Sequence, residues 1–164
     1  NIIAFNSLNN TLNCQKLLSL TGSVSKNISA EITGKKYALE DNPMGINSIS
    51  ITFDGDKGIF NFKNSEGENR IEFGMGYNIF GKFPGNKRMG LTASVYEEGT
   101  YDCCASAIWC EEKKLHILVR VIDTYLGTLS IVVGFKNNEV TVTMQKHAQR
   151  ILDDLNGVAA GRLI

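Results

Sequence analysis

The strongest constraint in this chain is a hydrophobic period of two, broken at short intervals by turn residues. Ile49, Ile51 and Phe53 alternate with Ser48, Ser50 and Thr52, and Phe60 and Phe62 repeat the device beyond Asp54-Gly55-Asp56. Successive side chains of a strand point to opposite faces, so such a run fits a strand with one face buried. An Asp-Gly pair readily supplies the positive φ of a hairpin turn. Further strands are expected over 70–73, 77–83, 89–96, 101–110, 115–122, 128–135 and 140–144. Between them stand Glu66-Gly67, Gly74-Met75-Gly76, Pro84-Gly85-Asn86, Glu98-Gly99, Leu126-Gly127 and Asn137-Asn138. Strands joined by turns rather than helices make antiparallel sheets, so the fold class expected is mostly all-β, an antiparallel β-barrel of about eight strands.

The two ends read differently. Leu8, Leu12, Cys14, Leu17, Leu18 and Leu20 fall near helical spacing and predict a short N-terminal helix, followed by a linker over 21–27. Near the other end, Ala148, Ile151, Leu152 and Leu155 share one helical face and Gly157 can cap it. Because 115–122 is apolar on both faces, something must cover its outside, and this C-terminal helix is the expected cover. The division is then an N-terminal helix and linker over 1–28, a β-barrel over 29–146 and a C-terminal helix over 147–164 packed on it, one domain overall. A chain of 164 residues can bury a core without a metal or disulfide staple.

Charge narrows the partners. Lys plus Arg number 17 and Asp plus Glu number 17, with signs interspersed, which argues against a nucleic-acid partner. No apolar run approaches the roughly 20 residues of a membrane-spanning helix, so no membrane span is expected. Cys14, Cys103, Cys104 and Cys110 are too irregularly spaced for a disulfide framework or a CxxC pair. Free thiols in a reducing cytoplasm fit them, as does the lack of a visible signal peptide. The chain starts at Asn1, which suggests a piece of something longer.

Several strings resemble a known family. They are ITGKKYALEDNPMGI over 32–46, IEFGMGY over 71–77, ASAIWC over 105–110 and LHILVRVIDT over 115–124. They are similar to the C-terminal domain that follows the catalytic domain in bacterial serine hydrolases of the class C β-lactamase and penicillin-binding-protein type, in the same order across 32–144. That resemblance implies a lipocalin-like β-barrel that carries no active site and packs on, or shapes, a catalytic serine-hydrolase domain of the same parent chain. The Cys103-Cys104 pair and the C-terminal helix depart from that pattern.

Candidate catalytic sets are weak beside plainer readings. Ser23-Val-Ser-Lys26 matches Ser-x-x-Lys, but it lies in the linker with no second motif downstream. His116 could approach Cys110 across a hairpin, which would give a cysteine-dependent enzyme using Cys110 or Cys104; small core cysteines and a strand histidine explain the same residues. Cys103 and Cys104 cannot easily share a metal ion, since adjacent strand residues face opposite ways. Asp41, Asp54, Asp56, Asp153 and Asp154 fit turns or the exposed side of the final helix, and Gly74-Met75-Gly76 with Gly81 fits a strand bend. No catalytic set, metal or cofactor is expected.

The aromatic residues carry the remaining possibility. A barrel of about eight strands is either filled by its side chains or holds one small ligand. A filled interior is the plainer expectation; a hollow one would make the chain a free-standing carrier of a small apolar ligand, lined by Phe62, Phe73, Tyr77, Trp109 and Ile117.

Overall fold

The structure is a computed structural model, and it describes residues 17–21, 26–84, 87–88, 96–97, 100–123, 126–148 and 151–164. A short helix, α1 (Lys26–Ile32), precedes strands β1 (Lys36–Leu39), β2 (Ser48–Asp54), β3 (Lys57–Asn64), β4 (Gly67–Met75) and β5 (Ile79–Lys82). A two-stranded ribbon follows, β6 (Lys87–Arg88) with β7 (Tyr96–Glu97). The long strands β8 (Asp102–Glu111), β9 (Lys114–Ile122), β10 (Leu126–Lys136) and β11 (Glu139–His147) come next, and β12 (Gly157–Leu163) ends the series.

The main sheet is 10-stranded, in the order β4-β3-β2-β1-β12-β11-β10-β9-β8-β5. It closes on itself where β4 meets β8 in parallel, Gly74 opposite Ser106 and Met75 opposite Ala107. Beyond that junction β5 runs antiparallel to β8, from Ile79 opposite Ala105 to Lys82 opposite Asp102. The result is a closed, mixed β-barrel, matching the lipocalin-like barrel expected. Gly74 to Gly76 is the bend between the two pairings, as its small residues suggested, with Gly76 at φ 83°.

The alternation explains the strands directly. In β2 and β3 the pairs Ile49–Phe62 and Ile51–Phe60 lie opposite each other and are buried. The Gly55-Asp56 turn joins them, and Gly55 takes the expected positive φ, 62°. Along β9 and β10, Leu115, Ile117, Val119, Val121, Leu129, Ile131, Val133 and Phe135 all point inward. Each such side chain contributes about 1.5–3 kcal/mol relative to leaving it in water. Of the expected strand over 89–96, only Tyr96 falls within the described residues.

Two expectations about the ends need correction. The C-terminal helix does not form: 151–156 is a run of turns, and 157–163 is β12, inserted between β1 and β11. Ile151 and Leu155 are buried as the helical face required, but they hang from turns across one end of the barrel. There Ile151 Cδ1 and Ala148 Cβ approach so closely that a Cβ on the inward-facing Gly127 would lie 2.8 and 2.9 Å from them. The expected N-terminal helix lies largely outside the described residues, and 17–21 is not helical; the helix that is seen starts later, at Lys26.

The cover over the outer face also differs. Residues 17–21, not 147–156, run across the outside of β8 and β9. Ser19 Oγ donates to Gly76 O (3.0 Å), Leu20 N donates to Ser106 Oγ (3.0 Å), and Arg120 donates to Leu18 O. Beneath them the outward-facing Cys104 and Ser106 are fully buried.

Candidate functional site

The barrel has two ends. At one, α1 lies across the mouth, with Ile28 and Ile32 joined to the core. Below it Tyr37, Phe135, Trp109, Phe53 and Phe73 form a continuous belt of rings, with successive centroids 5.8, 6.3, 6.1 and 5.9 Å apart. Tilted and edge-on contacts at these spacings are favourable for aromatic rings. The Trp109 indole N–H donates to Ser29 Oγ on α1 (3.2 Å), which ties the belt to the helix. At the opposite end Met44 and Ile46 from the loop after β1, Ile151 and Leu155 from the turns before β12, and Phe83 beside Tyr101 are buried. Asn42 organises that first loop: its Nδ2 donates to the carbonyls of Glu40 and Ile46, and its Oδ1 accepts from the amides of Met44 and Ile46.

Four of the five residues expected to line a cavity do face the interior. Phe62 points in from β3, Phe73 from β4, Trp109 from β8 and Ile117 from the middle of β9, all buried. Tyr77 does not. Its ring lies on the outer side of β4, where a Cβ on Gly74 would meet its Cε2 at 2.7 Å, and its hydroxyl donates to Asp56 Oδ1 (3.4 Å). Tyr77 stands in the bend itself, between β4 and β5, where strand alternation does not hold; in β5 Ile79 and Gly81 lie opposite the inward Ala105 and Cys103 again. Tyr37, Phe53 and Phe135 complete the belt, and for Phe53 and Phe135 their parity with Ile51 and Val133 was the available signal.

The catalytic candidates are separated. His116 lies opposite Ile108, and its Nε2 is 2.9 Å from Ser130 Oγ on β10, away from β8. Burial holds its pKa below the ordinary value. Cys110 sits at a bulge on β8, and its thiol donates to Lys114 O (3.3 Å). Cys103 faces the interior and Cys104 the outer face, so the pair diverges as adjacent strand residues must. No group of three or more metal-ligating side chains occurs among the described residues. Of Ser23-Val-Ser-Lys26, only Lys26 falls among them, as the first residue of α1. Asp56 sits in the turn between β2 and β3, and Asp153 sits in a turn rather than on a helix and pairs with Lys146. No described helix is long and apolar enough to cross a membrane.

Burial, reinforced by the neighbouring Cys104 and Asp102, pushes the Cys103 thiol up to about 11. At about pH 8 roughly one such thiol in a thousand is the reactive thiolate. Iodoacetamide mapped by mass spectrometry should therefore label the exposed Cys110 quickly and leave Cys103 and Cys104 until the protein unfolds. Labelling of Cys103 at the rate of Cys110 would show an interior open to water.

An open groove of about 530 Å³ lies outside the barrel at the α1 end, bordered by Glu111, Glu112, Lys113, Lys114, Lys136 and Glu139 among others. Its charges are of both signs, and Lys114 and Glu139 are engaged with Glu111 and Arg162.

No protein-family model and no curated protein matches the chain. Solved structures do. Apo lipid binding protein 8 of Caenorhabditis elegans superposes with a TM-score of 0.52 at 13% identity, covering 87% of this chain and 99% of that one. The fatty acid-binding protein of Drosophila melanogaster brain tissue gives 0.48 at 14%, covering 80% and 98%. That of Manduca sexta gives 0.45 at 11%, also covering 80% and 98%. The expected kinship with a β-lactamase-type hydrolase domain is therefore corrected. The chain has the barrel fold of the nematode lipid binding protein along nearly the whole of both chains, and no serine-hydrolase domain is among these neighbours.

Proposed function

We propose that this chain is a non-enzymatic carrier of a small apolar ligand held inside the barrel. The observation that supports this reading is the closed wall whose inward rows on β9 and β10 are apolar from end to end. Burying an alkyl surface against such a wall is favourable in proportion to its area. The fold shared with a protein described as lipid binding points the same way. In this reading Phe73 and Trp109 form the floor, Phe62 and Ile117 line the chamber above it, and Ile151 and Leu155 close the far mouth.

Trp109 is the only tryptophan in the sequence and stands in the floor, so its emission reports on the interior. Titration with methyl laurate should give a saturable change in that emission and a raised melting temperature. At a ligand concentration 100 times Kd the stabilisation is about 2.7 kcal/mol. Unchanged emission and an unchanged melting temperature up to the solubility limit would end the carrier reading.

A further inference from the structure

We propose that residues 17–20 form a clasp that holds the parallel closure of the barrel shut, and that the wall opens sideways between β4 and β8 when the clasp lifts. Such an opening is a property of the wall and does not depend on what the interior holds.

The closure is the thinnest join in the wall. β3 and β4 pair along their length, from Lys57 opposite Gly74 to Asn64 opposite Gly67, whereas β4 meets β8 through Gly74–Ser106 and Met75–Ala107 alone among the described residues. Parallel pairing is also slightly weaker per residue than antiparallel pairing. One further backbone hydrogen bond crosses just beyond, from Gly76 N to Ala107 O (2.9 Å). The chain then turns away at Gly76, and β5 takes up its own pairing with β8.

The segment 17–20 lies across this join and is bonded on both sides of it. On the β4–β5 side, Ser19 Oγ donates to Gly76 O (3.0 Å) and Asn78 Nδ2 donates to Leu17 O (2.8 Å). On the β8–β9 side, Leu20 N donates to Ser106 Oγ (3.0 Å) and Arg120 donates to Leu18 O. Ser106 is itself the partner of Gly74 in the closure. The attachment is made of hydrogen bonds more than of buried side chains, since Leu18 is 81% exposed and Leu17 43%. Segments held by exposed hydrogen bonds with little apolar burial open locally, well before the whole molecule unfolds. Lifting 17–20 breaks these links together and leaves the join with its own few bonds.

The experiment is amide hydrogen exchange on the full chain carrying Ser19→Ala and Arg120→Met. Neither side chain takes part in the pairing of β4 with β8, and Arg120 stands on β9, with β8 between it and the bend. The expected result is exchange of the Gly76 amide about tenfold faster, for two hydrogen bonds lost, with the amides of 128–135 in β10 unchanged. Arg120→Met alone leaves every bond to Gly76 in place; it should give the same pattern at about threefold, and it decides the matter if the double variant does not fold. Gly76 exchange left unchanged by these substitutions, or all strands loosened to the same degree, would overturn the proposal.

Discussion

Replacing Phe73 by alanine should destabilise the protein by about 3–5 kcal/mol, the range for deleting a buried aromatic ring. Phe73 is fully buried and meets Phe53 edge-on, with an interplanar angle of 78°. Its neighbours are fixed on strands and cannot collapse far into the space left behind. For a domain of this size the loss corresponds to a fall in melting temperature of roughly 10 °C, readable by circular dichroism. A loss under about 1 kcal/mol would mean that the belt is loosely packed and that the floor of the chamber is misplaced.

Gly161→Ala is the second large effect. Gly161 lies opposite Leu39 where β12 joins β1, and a Cβ there would run into Ala38 O and come within 2.6 Å of Leu39 Cδ2. The obstacle is partly backbone, which cannot swing aside as a side chain can. The β1–β12 seam is short, holding Tyr37, Ala38 and Leu39 against Leu163, Arg162 and Gly161. Relief of the clash therefore opens the seam, at a cost of about 1–3 kcal/mol or more. Amide hydrogen exchange should show lost protection in 36–39 and 157–163 ahead of the rest of the barrel. Gly134→Ala is the control, since a Cβ there meets nothing within 4 Å. If both variants behaved alike, the seam would not be the tight point that the structure makes it.

How much of this was legible in the sequence depended on whether side-chain contrast tracked the backbone. Strands β2, β3, β9, β10 and β11 put large apolar residues inward and polar or smaller ones outward, so their period of two could be read directly. β12 inverts that contrast. Its inward residues are Ala159 and Gly161, while Val158 and Arg162 face out, and an Ala- and Gly-rich run carries no strand signal. The helical spacing just before it was a coincidence of a different kind. Ile151 and Leu155 are both buried, but through turns that place Leu152 at φ 65°, a conformation no α-helix contains. Likewise the Gly and aromatic strings that suggested a hydrolase domain report bends and inward rings, which many antiparallel barrels need. They were signals of fold and not of kinship. For the candidate site, the inward orientation of Phe62, Phe73, Trp109 and Ile117 was legible where strand parity held, and it was lost at Tyr77, which stands in a bend between strands.

The seam between β1 and β12 also governs how the barrel is made. It joins residue 37 to residue 163, so closure brings together segments far apart in sequence. Contacts of such separation form late, after the entropy of closing a long loop has been overcome. The hairpins β2–β3 and β8–β9–β10–β11 can zip locally before then, leaving β1 and β11 each with a bare edge of backbone donors and acceptors. Bare edges of that kind recruit strands from other chains. The hazard of aggregation for this protein is thus concentrated in one interval of its folding, between the zipping of the hairpins and the seating of 157–163.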